Sequence, residues 1–281
     1  METRVVSASG AGTLFVVSTP IGNLADLSPR AVETLRAVSA VLAEDTRHSR
    51  PMLQRSQVET RLLAYHEHNE AKATPRLVAR LLAGESFALI SDAGTPLLSD
   101  PGARLVDAAL AAGVRVSPVP GASALLAALV VSGLPAERFT FFGFLPRRGA
   151  DRAAQLGEIV HLTHTAVLYE SPARLGATLG ELAALGAAER RAVVARELTK
   201  QFEEVRRGTV RELGASYEEE APRGEVVLLV AGAEPPVQDI EALRARARAL
   251  RESGLSARDV VRVLRDEAAA PRNLAYQLAH E

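Results

Sequence analysis

The chain contains no cysteine among its 281 residues, and aromatic residues make up only 4% of it. Without cysteine, disulfides, thiolate metal ligands and cysteine nucleophiles are excluded. The amino-terminal residues lack the basic segment and apolar run of a secretory signal peptide. The longest apolar run, 124–131, is too short to cross a bilayer. We therefore expect a soluble cytoplasmic protein whose core is built from Ala, Val and Leu.

An excess of charge of one sign is also lacking, because the formal net charge is -1 at pH 7. Binding of nucleic acid would therefore need a local basic surface rather than a basic protein. Lysine is scarce as well: Lys72 and Lys200 are the two lysines among 33 basic residues. A lysine can lose its proton where an arginine cannot, which makes Lys200 a candidate for chemistry.

Short apolar runs alternate with segments of helical periodicity, which predicts an α/β protein with a largely parallel sheet. Four capping residues followed by proline predict helix starts at Ser28-Pro29, Thr74-Pro75, Asp100-Pro101 and Ser171-Pro172. Helix ends are predicted at Gly84, Gly113 and Gly186. Nine strands are predicted, at 13–17, 40–43, 61–65, 87–91, 114–119, 139–144, 166–170, 191–197 and 225–231.

Nine strands are too many for one small open sheet, so we expect two α/β lobes that meet at 119–123. The predicted domains are an N-terminal lobe at 1–120 and a C-terminal lobe at 121–234, with a ligand cleft between them. Residues 235–281 read as purely helical, and their short helices separated by a Gly/Pro turn resemble a helix-turn-helix module. This tail either contacts nucleic acid or caps the second lobe.

Two Pro/Gly-rich loops follow predicted strands, at 18–26 and at 91–102. Strand-end loops with bare backbone are where open α/β sheets bind ligands. Neither loop fits a P-loop or a dinucleotide fingerprint. Polar clusters end three further strands, at 44–48, 169–171 and 196–200. His66 and His68 leave a metal-dependent hydrolase open as an alternative, although no further ligand set with recognisable spacing accompanies them.

Together these segments resemble the tetrapyrrole methylase superfamily, the class III S-adenosylmethionine-dependent methyltransferases. The resemblance runs from about residue 13 to residue 232 and is closest to members that act on ribosomal RNA. Its motifs are 17–24, 43–48, 66–70, 91–102, 143–146, 169–171 and 195–200, with a weak continuation at 272–276. Several multi-residue motifs in the same order make it specific.

The resemblance implies a homodimer with S-adenosylmethionine between the lobes. The implied reaction is 2′-O-methylation of a cytidine ribose in the decoding region of small-subunit rRNA, with the 30S subunit as partner. A tetrapyrrole or corrin-precursor methyltransferase is the alternative within this fold. Such relatives carry Gly-Asp-Pro in the second loop, where this chain has Gly94-Thr95-Pro96, and this difference argues against a tetrapyrrole. A non-catalytic RNA-binding protein on the same scaffold is a third possibility.

Site residues follow from these patterns and from the resemblance. The cofactor is expected to contact Pro20, Ile21, Gly22, Asp92, Gly94, Thr95, Pro96, Leu98, Gly121, Ala122, Ser123, Ala124, Tyr169 and Gly224. A ribose hydroxyl is a poor nucleophile and benefits from a base or a nearby cation; the catalytic candidates are Glu170, Glu197, Lys200 and Asp45, with Asp100 as a competitor. Phosphate contacts are expected from Arg47, Arg147, Arg148, Arg152, Arg244 and Arg248.

Overall fold

The computed structural model describes residues 10–219, 222–234, 240–268 and 270–281. The chain divides between Ala233 and Glu234 into two compact units. Two five-stranded sheets lie in the first unit, and the second unit is helical. Within the described ranges, every helix is too short or too polar to span a lipid bilayer.

The first sheet is entirely parallel and follows the first half of the predicted strands. Its strands are β1 (Thr13–Val17), β2 (Ala40–Ala43), β3 (Leu62–Ala64), β4 (Phe87–Ile90) and β5 (Arg115–Val119), in the order β3-β2-β4-β1-β5. The connecting helices are α1 (Pro29–Ala37), α2 (Thr46–Arg55), α3 (Glu70–Leu82) and α4 (Ala103–Ala111), with a 3-10 turn at Leu24–Asp26. Because the strands are parallel, the loops that follow β1, β2 and β4 lie at one edge.

The second sheet follows α5 (Ala124–Ser132) and is mixed. Its strands are β6 (Phe139–Phe144), β7 (Thr165–Glu170), β8 (Arg191–Arg196), β9 (Glu204–Thr209) and β10 (Val226–Val230), in the order β6-β7-β10-β8-β9. Its helices are α6 (Ala150–His161), α7 (Pro172–Leu182) with a π-turn at Ala183–Ala187, and α8 (Val210–Glu219). The pair β6–β7 is parallel, and the three other pairings are antiparallel.

The prediction of a largely parallel sheet is therefore wrong for this half, and β9 was missed. The connection from β8 to β9 at 197–203 is shorter than the dozen or so residues that a parallel crossover needs, so the two strands form a hairpin. β9 escapes sequence reading because its central residues, Arg206 and Arg207, are exposed and polar. An edge strand of this kind shows little apolar periodicity.

Two of the four predicted helix starts are confirmed. Ser28 is the N-cap of α1 and accepts a hydrogen bond from Ala31 N at 3.1 Å, and Pro29 is the first helical residue. Ser171 precedes Pro172 at the start of α7, although its side chain makes no capping hydrogen bond. Gly84 and Gly113, with φ of 97° and 75°, end α3 and α4 as predicted. Gly186, with φ of 103°, lies in the π-turn that continues α7.

The other two predicted starts are wrong, because tertiary contacts use these residues differently. Thr74 lies inside α3, and its hydroxyl bonds the buried Tyr65 hydroxyl at 2.9 Å. α4 begins only at Ala103, after Gly102, whose φ is 133°. A Cβ at that position would come within 2.6 Å of Leu89 Cδ2, so this turn requires glycine. Asp100 is thereby left facing a cavity instead of capping a helix.

The second unit has its own apolar core. Its helices are α9 (Ile240–Glu252), α10 (Ala257–Ala268) and α11 (Arg272–His280). Leu243, Ala247, Val260, Leu264 and Leu278 belong to one buried cluster that all three helices share. Pro235 and Pro236, which open the predicted tail, lie outside the described residues.

Candidate active site

The two Pro/Gly-rich loops meet at the carboxyl edge of the first sheet. Thr19 N donates to Gly94 O at 2.8 Å, and Gly94 N donates to Thr19 O at 3.1 Å. These residues are far apart in the sequence, but β1 and β4 are neighbours in the sheet. The topology therefore brings together the two loops that the sequence singled out.

The third predicted cofactor segment, 121–124, joins them. The Thr95 hydroxyl donates to Ala122 O at 3.1 Å and lies 3.1 Å from the Ser18 hydroxyl. A Cβ on Gly121 would lie 3.1 Å from Ser18 Cβ, which leaves little room for a larger residue. The loops after β1, β4 and β5 thus form one hydrogen-bonded rim.

A cavity of about 370 Å³ opens beside this rim and is shared by both sheets. Most of its walls are apolar side chains and exposed backbone, and the lining also includes the acidic residues Asp92, Asp100, Glu170 and Glu225. Eight predicted cofactor residues line it: Ile21, Asp92, Gly94, Thr95, Leu98, Ala124, Tyr169 and Gly224. The six others, Pro20, Gly22, Pro96, Gly121, Ala122 and Ser123, belong to the same loops but not to the cavity wall.

Sequence reasoning missed several wall residues from the second sheet. Ala195, Val226 and Val227 line the cavity from β8 and β10, Phe144 lines it from β6, and Leu198 lines it from the turn after β8. In the sequence the first four are ordinary strand residues, so only the position of their strands identifies them. Phe144 and Tyr169 lie with ring centroids 5.6 Å apart.

Glu197 and Lys200, in the turn between β8 and β9, form an ion pair with Nζ 2.8 Å from Oε1. Lys200 Nζ also lies 3.2 Å from a Glu225 carboxylate oxygen, and Glu225 N donates to Glu197 Oε1 at 2.9 Å. Burial acts to lower the pKa of Lys200, but hydrogen bonds to Glu197 and Glu225 outweigh it, so that pKa is raised. The hydrogen bond from Lys200 lowers the pKa of Glu197. Both groups therefore stay charged at neutral pH, and neither is suited to accept a proton.

Two glycines pack directly against this ion pair. A Cβ on Gly22 would overlap Lys200 Cγ, and a Cβ on Gly224 would overlap Glu197 Cδ. Asn23 N donates to the Thr199 hydroxyl at 3.2 Å, which joins the first loop to the same turn. Glycine is required at both positions because a side chain would displace the charged pair.

Backbone strain is concentrated around the cavity. Leu97, Ser99, Glu197 and Thr199 are non-glycine residues with φ between 50° and 73°. Such conformations cost free energy and cluster at sites where the surrounding structure holds a functional geometry. Here they lie in the second Pro/Gly-rich loop and in the ion-paired turn, and both segments contribute residues to the cavity wall.

Three carboxylates gather at the ends of β2 and β4. Burial, followed by the negative charge of Glu44, raises the pKa of Asp100 to about 6. Burial, followed by the charge of Asp92, also raises the pKa of Glu44. Asp92 accepts a hydrogen bond from Asp45 N at 3.2 Å. Among these groups, Asp100 both lines the cavity and titrates near neutral pH, as a general base should.

Glu170 lines the cavity, but its carboxylate is occupied by hydrogen bonds and an ion pair within the protein. It is 2% exposed and accepts hydrogen bonds from Ser171 N and from the Thr178 hydroxyl, each at 2.7 Å. Arg174 Nε lies 3.3 Å from Oε1. The carboxylate therefore holds the first turns of α7 against the end of β7.

Asp45 is placed as a helix cap. Its carboxylate accepts from Arg47 N at 2.8 Å and pairs with the Arg47 guanidinium at 3.1 Å. Hydrogen bonds from Arg47 lower the pKa of Asp45 to about 2. A carboxylate with so low a pKa is a weak base. The outer face of Arg47 remains exposed.

The predicted RNA-contact arginines fall into distinct environments. Arg147 and Arg148 are exposed in the loop that follows Phe144. Arg152 is only 7% exposed and bonds Glu181, Pro146 O and Thr178, so its prediction as a phosphate contact is wrong. These bonds connect α6 to α7 and leave the guanidinium no open side. The two remaining predicted arginines lie on α9: Arg244 pairs with Glu241 and Glu281, and Arg248 is exposed.

His66 and His68 lie with ring centroids 6.0 Å apart. In the part of the chain that the structure describes, no group of three or more His, Cys, Asp or Glu side chains is arranged to hold a metal ion. The described residues therefore give no support to a metal-dependent hydrolase built on His66 and His68.

Comparison with known proteins adds to this geometry. The family model described as Tetrapyrrole (Corrin/Porphyrin) Methylases matches residues 13–214. The Ribosomal RNA small subunit methyltransferase I of Synechocystis sp. is 46% identical over 273 residues, which cover 96% of this chain and 98% of that protein. The protein of that name from Pseudomonas aeruginosa is 47% identical over 275 residues, which cover 96% and 97%.

Solved structures agree on the fold. Uroporphyrin-III C-methyl transferase from Thermus thermophilus, complexed with S-adenyl homocysteine, superposes with a TM-score of 0.56 and 19% sequence identity. The superposition covers 78% of this chain and 97% of that one. The α/β fold class predicted from the sequence is thereby confirmed. From the family match and the near-full-length relatives, this chain belongs to the Tetrapyrrole (Corrin/Porphyrin) Methylases, in the group of relatives named Ribosomal RNA small subunit methyltransferase I.

Proposed function

We propose that the protein methylates the 2′-hydroxyl of a cytidine ribose in the decoding region of small-subunit ribosomal RNA, with S-adenosylmethionine as methyl donor. The main support is similarity over nearly the whole chain to relatives named Ribosomal RNA small subunit methyltransferase I. The cavity at the junction of the two sheets supports it, because it is built from the loops expected to hold the cofactor. The cytoplasm, where ribosomal subunits are assembled, is the proposed location.

The residues of the cavity fit S-adenosylmethionine. A volume of about 370 Å³ lies in the range of small-molecule sites. Ile21, Leu98 and Val227 offer apolar surface for an adenine ring, while Gly94 and Thr95 offer close backbone. The carboxylates of Asp92 and Asp100 complement the cofactor's positive charges. The bound cofactor would supply an electrophilic methyl group, and the protein's part is alignment and exclusion of water.

Asp100 is the proposed general base. The 2′-hydroxyl must lose its proton as the new carbon–oxygen bond forms, and a carboxylate at the cavity wall can receive it. Its raised pKa, about 6, improves its proton affinity while leaving it ionised at pH 7 and above. Asp100 thus replaces Asp45 and Glu170 as the leading catalytic carboxylate in this proposal.

Glu197 and Lys200 are proposed as a positioning pair. Lys200 is held as a cation by Glu197 and Glu225 and lies against the first cofactor loop at Gly22. A fixed cation beside the site can stabilise negative charge that develops on the ribose oxygen. Its role requires no loss of a proton, in keeping with its raised pKa.

Contact with RNA is proposed through local basic surface. Arg147 and Arg148 follow the exposed Phe144 at the cavity, an arrangement suited to phosphates and an unstacked base. Arg47 lies at the carboxyl edge of the first sheet. In the tail at 235–281, Arg244 and Arg248 are the arginines predicted from the sequence to contact phosphates. The lobes at 1–120 and 121–234 are the proposed functional segments that precede this tail.

A direct test measures methyl transfer from labelled S-adenosylmethionine to 30S subunits that lack the modification. Free rRNA and a tetrapyrrole precursor serve as parallel acceptors. Label on a cytidine 2′-oxygen is the expected result. Label on the tetrapyrrole alone would show that the substrate is a tetrapyrrole and not rRNA. Binding of S-adenosylmethionine without methyl transfer to any acceptor would favour a non-catalytic RNA-binding protein.

A homodimer is also proposed. α5 exposes apolar side chains at Leu126, Val130 and Val131, and Val130 is 75% exposed. A second copy that covers this face would remove it from water. Sedimentation should show a dimer for the wild type and a monomer for Val130→Glu, with Leu185→Glu as the control at an exposed apolar residue outside α5. A monomeric wild type would contradict this proposal.

A further inference from the structure

We propose that the cleft between α10 and α11 binds RNA, with arginines on phosphates and a base stacked on Tyr276. The identity of the polyanion rests on the proposed function, whereas the site itself rests on the geometry of the second unit. The arginines of this cleft are not among those predicted from the sequence to contact phosphates.

α10 presents three arginines on one face. Arg258, Arg262 and Arg265 are spaced four and three residues apart, so their side chains project from the same side of the helix. Arg272, at the start of α11, completes the group. All four are exposed and line a cleft of about 520 Å³.

The cleft is positively charged. Its lining contains the four arginines and one aspartate, Asp266. Outside the lining, Asp259 pairs with Arg262 at 3.1 Å. The Arg262 side chain is 70% exposed and the Asp259 side chain 40%, so a phosphate can compete for this arginine at small cost. A chain with a net charge of -1 therefore carries the kind of local basic surface that RNA binding requires.

An aromatic platform lies in the same cleft. Tyr276 is 61% exposed, and its ring lies 4.2 Å from the His280 ring with a 30° tilt between their planes. His280 Nδ1 lies within hydrogen-bond distance, 2.8 Å, of Tyr276 O, which fixes the supporting ring. One face of the tyrosine is thus supported while its exposed surface remains available to a nucleobase. Stacking of this kind is tolerant of sequence and typical of single-stranded RNA sites.

The cleft is preformed by packing. Val260 and Leu264 of α10 and Leu278 of α11 are buried in the same core, and Arg251 of α9 donates to Ala279 O at 2.6 Å. Substitution of the exposed cleft residues should therefore leave this unit folded. Arginines that surround an exposed, supported aromatic ring favour a nucleic acid over an acidic protein, which would need no stacking platform.

The test uses the full-length protein and 30S subunits that lack the modification. The variant Arg258→Gln/Arg262→Gln/Arg265→Gln is compared with Arg55→Gln/Arg76→Gln/Arg115→Gln, which removes the same charge from exposed positions of the first unit. A third variant carries lysine at all three cleft positions. Dissociation constants are measured over a series of salt concentrations, together with kcat, KM and affinity for S-adenosylmethionine.

The cleft variant should bind 30S subunits about tenfold more weakly, and its salt slope should fall by about 2, because each lost phosphate contact removes about 0.7. KM should rise with kcat and cofactor affinity unchanged, and the lysine variant should recover the slope. Tyr276→Ala should weaken binding about tenfold, whereas Tyr276→Phe should not.

Equal behaviour of the cleft variant and its charge-matched control would overturn the site. The proposed function would then still stand if the wild type methylates rRNA. If the wild type binds rRNA through the cleft without methylating it, the site stands and the proposed function falls. If the cleft variant lost affinity for an acidic polypeptide by the same factor as for RNA, that result would also overturn the assignment of the cleft to RNA.

Discussion

Asp100→Asn should make the protein more stable at pH 8 and nearly inactive. The pKa of Asp100 rises from 3.8 to about 6 because the carboxyl is buried and faces Glu44. The native state therefore binds this proton more tightly than the unfolded chain does. Stability is lost as pH rises from about 4 to about 6, and above that interval the ionised carboxylate is destabilising.

The size of the effect follows from the shift. Two pKa units correspond to about 3 kcal/mol, and solvent access from the cavity side reduces this to about 1–2 kcal/mol. Asparagine keeps the shape without the charge, so the free energy of unfolding should rise by that amount at pH 8 and change little at pH 4. Loss of the general base should lower kcat by about 10²- to 10⁴-fold.

Urea unfolding at both pH values and single-turnover methyl transfer to 30S subunits give the two readouts. Asp107→Asn is the matched control, because Asp107 is exposed on α4. The wild-type rate should fall with unit slope below about pH 6. Full activity of Asp100→Asn would contradict the role of Asp100 as general base, and destabilisation at pH 8 would contradict its raised pKa.

Three further substitutions test the roles assigned around the cavity. Glu170→Ala should cost about 3–5 kcal/mol in urea unfolding because it removes the buried carboxylate that pairs with Arg174 and accepts from Thr178, whereas Glu170→Gln should cost less; equal stability of both would contradict a structural role. Gly224→Ala should weaken S-adenosylmethionine binding at least tenfold in calorimetry by displacing Glu197, while Gly157→Ala, which meets no neighbour, should not. Ser28→Ala should cost about 1 kcal/mol in thermal unfolding, and Ser171→Ala should cost little, since of these two serines Ser28 alone makes a capping hydrogen bond.

Much of the fold could be predicted from local patterns. β1, β2 and β6 have the predicted limits, because an apolar run between turn residues specifies a buried strand with few alternatives. The loops at 18–26 and 91–102 were also identifiable, since Pro and Gly mark backbone that must take unusual shapes. Thr74 and Asp100 show the limit of prediction from local patterns. Each is predicted as a helix cap, but the Thr74 hydroxyl bonds Tyr65 and Asp100 lines the cavity.

Local sequence patterns specify the alternation of strands and helices, the Pro/Gly loops and the polar residues that follow strands. Which of these segments meet depends on the tertiary structure. Strand order places Thr19 beside Gly94, and the hairpin of β8 and β9 brings Lys200 against Gly22. Burial raises the pKa of Asp100, whereas hydrogen bonds from Arg47 lower the pKa of Asp45. The physical reason is that pKa values and cavities depend on neighbours distant in the chain, which local propensity does not encode.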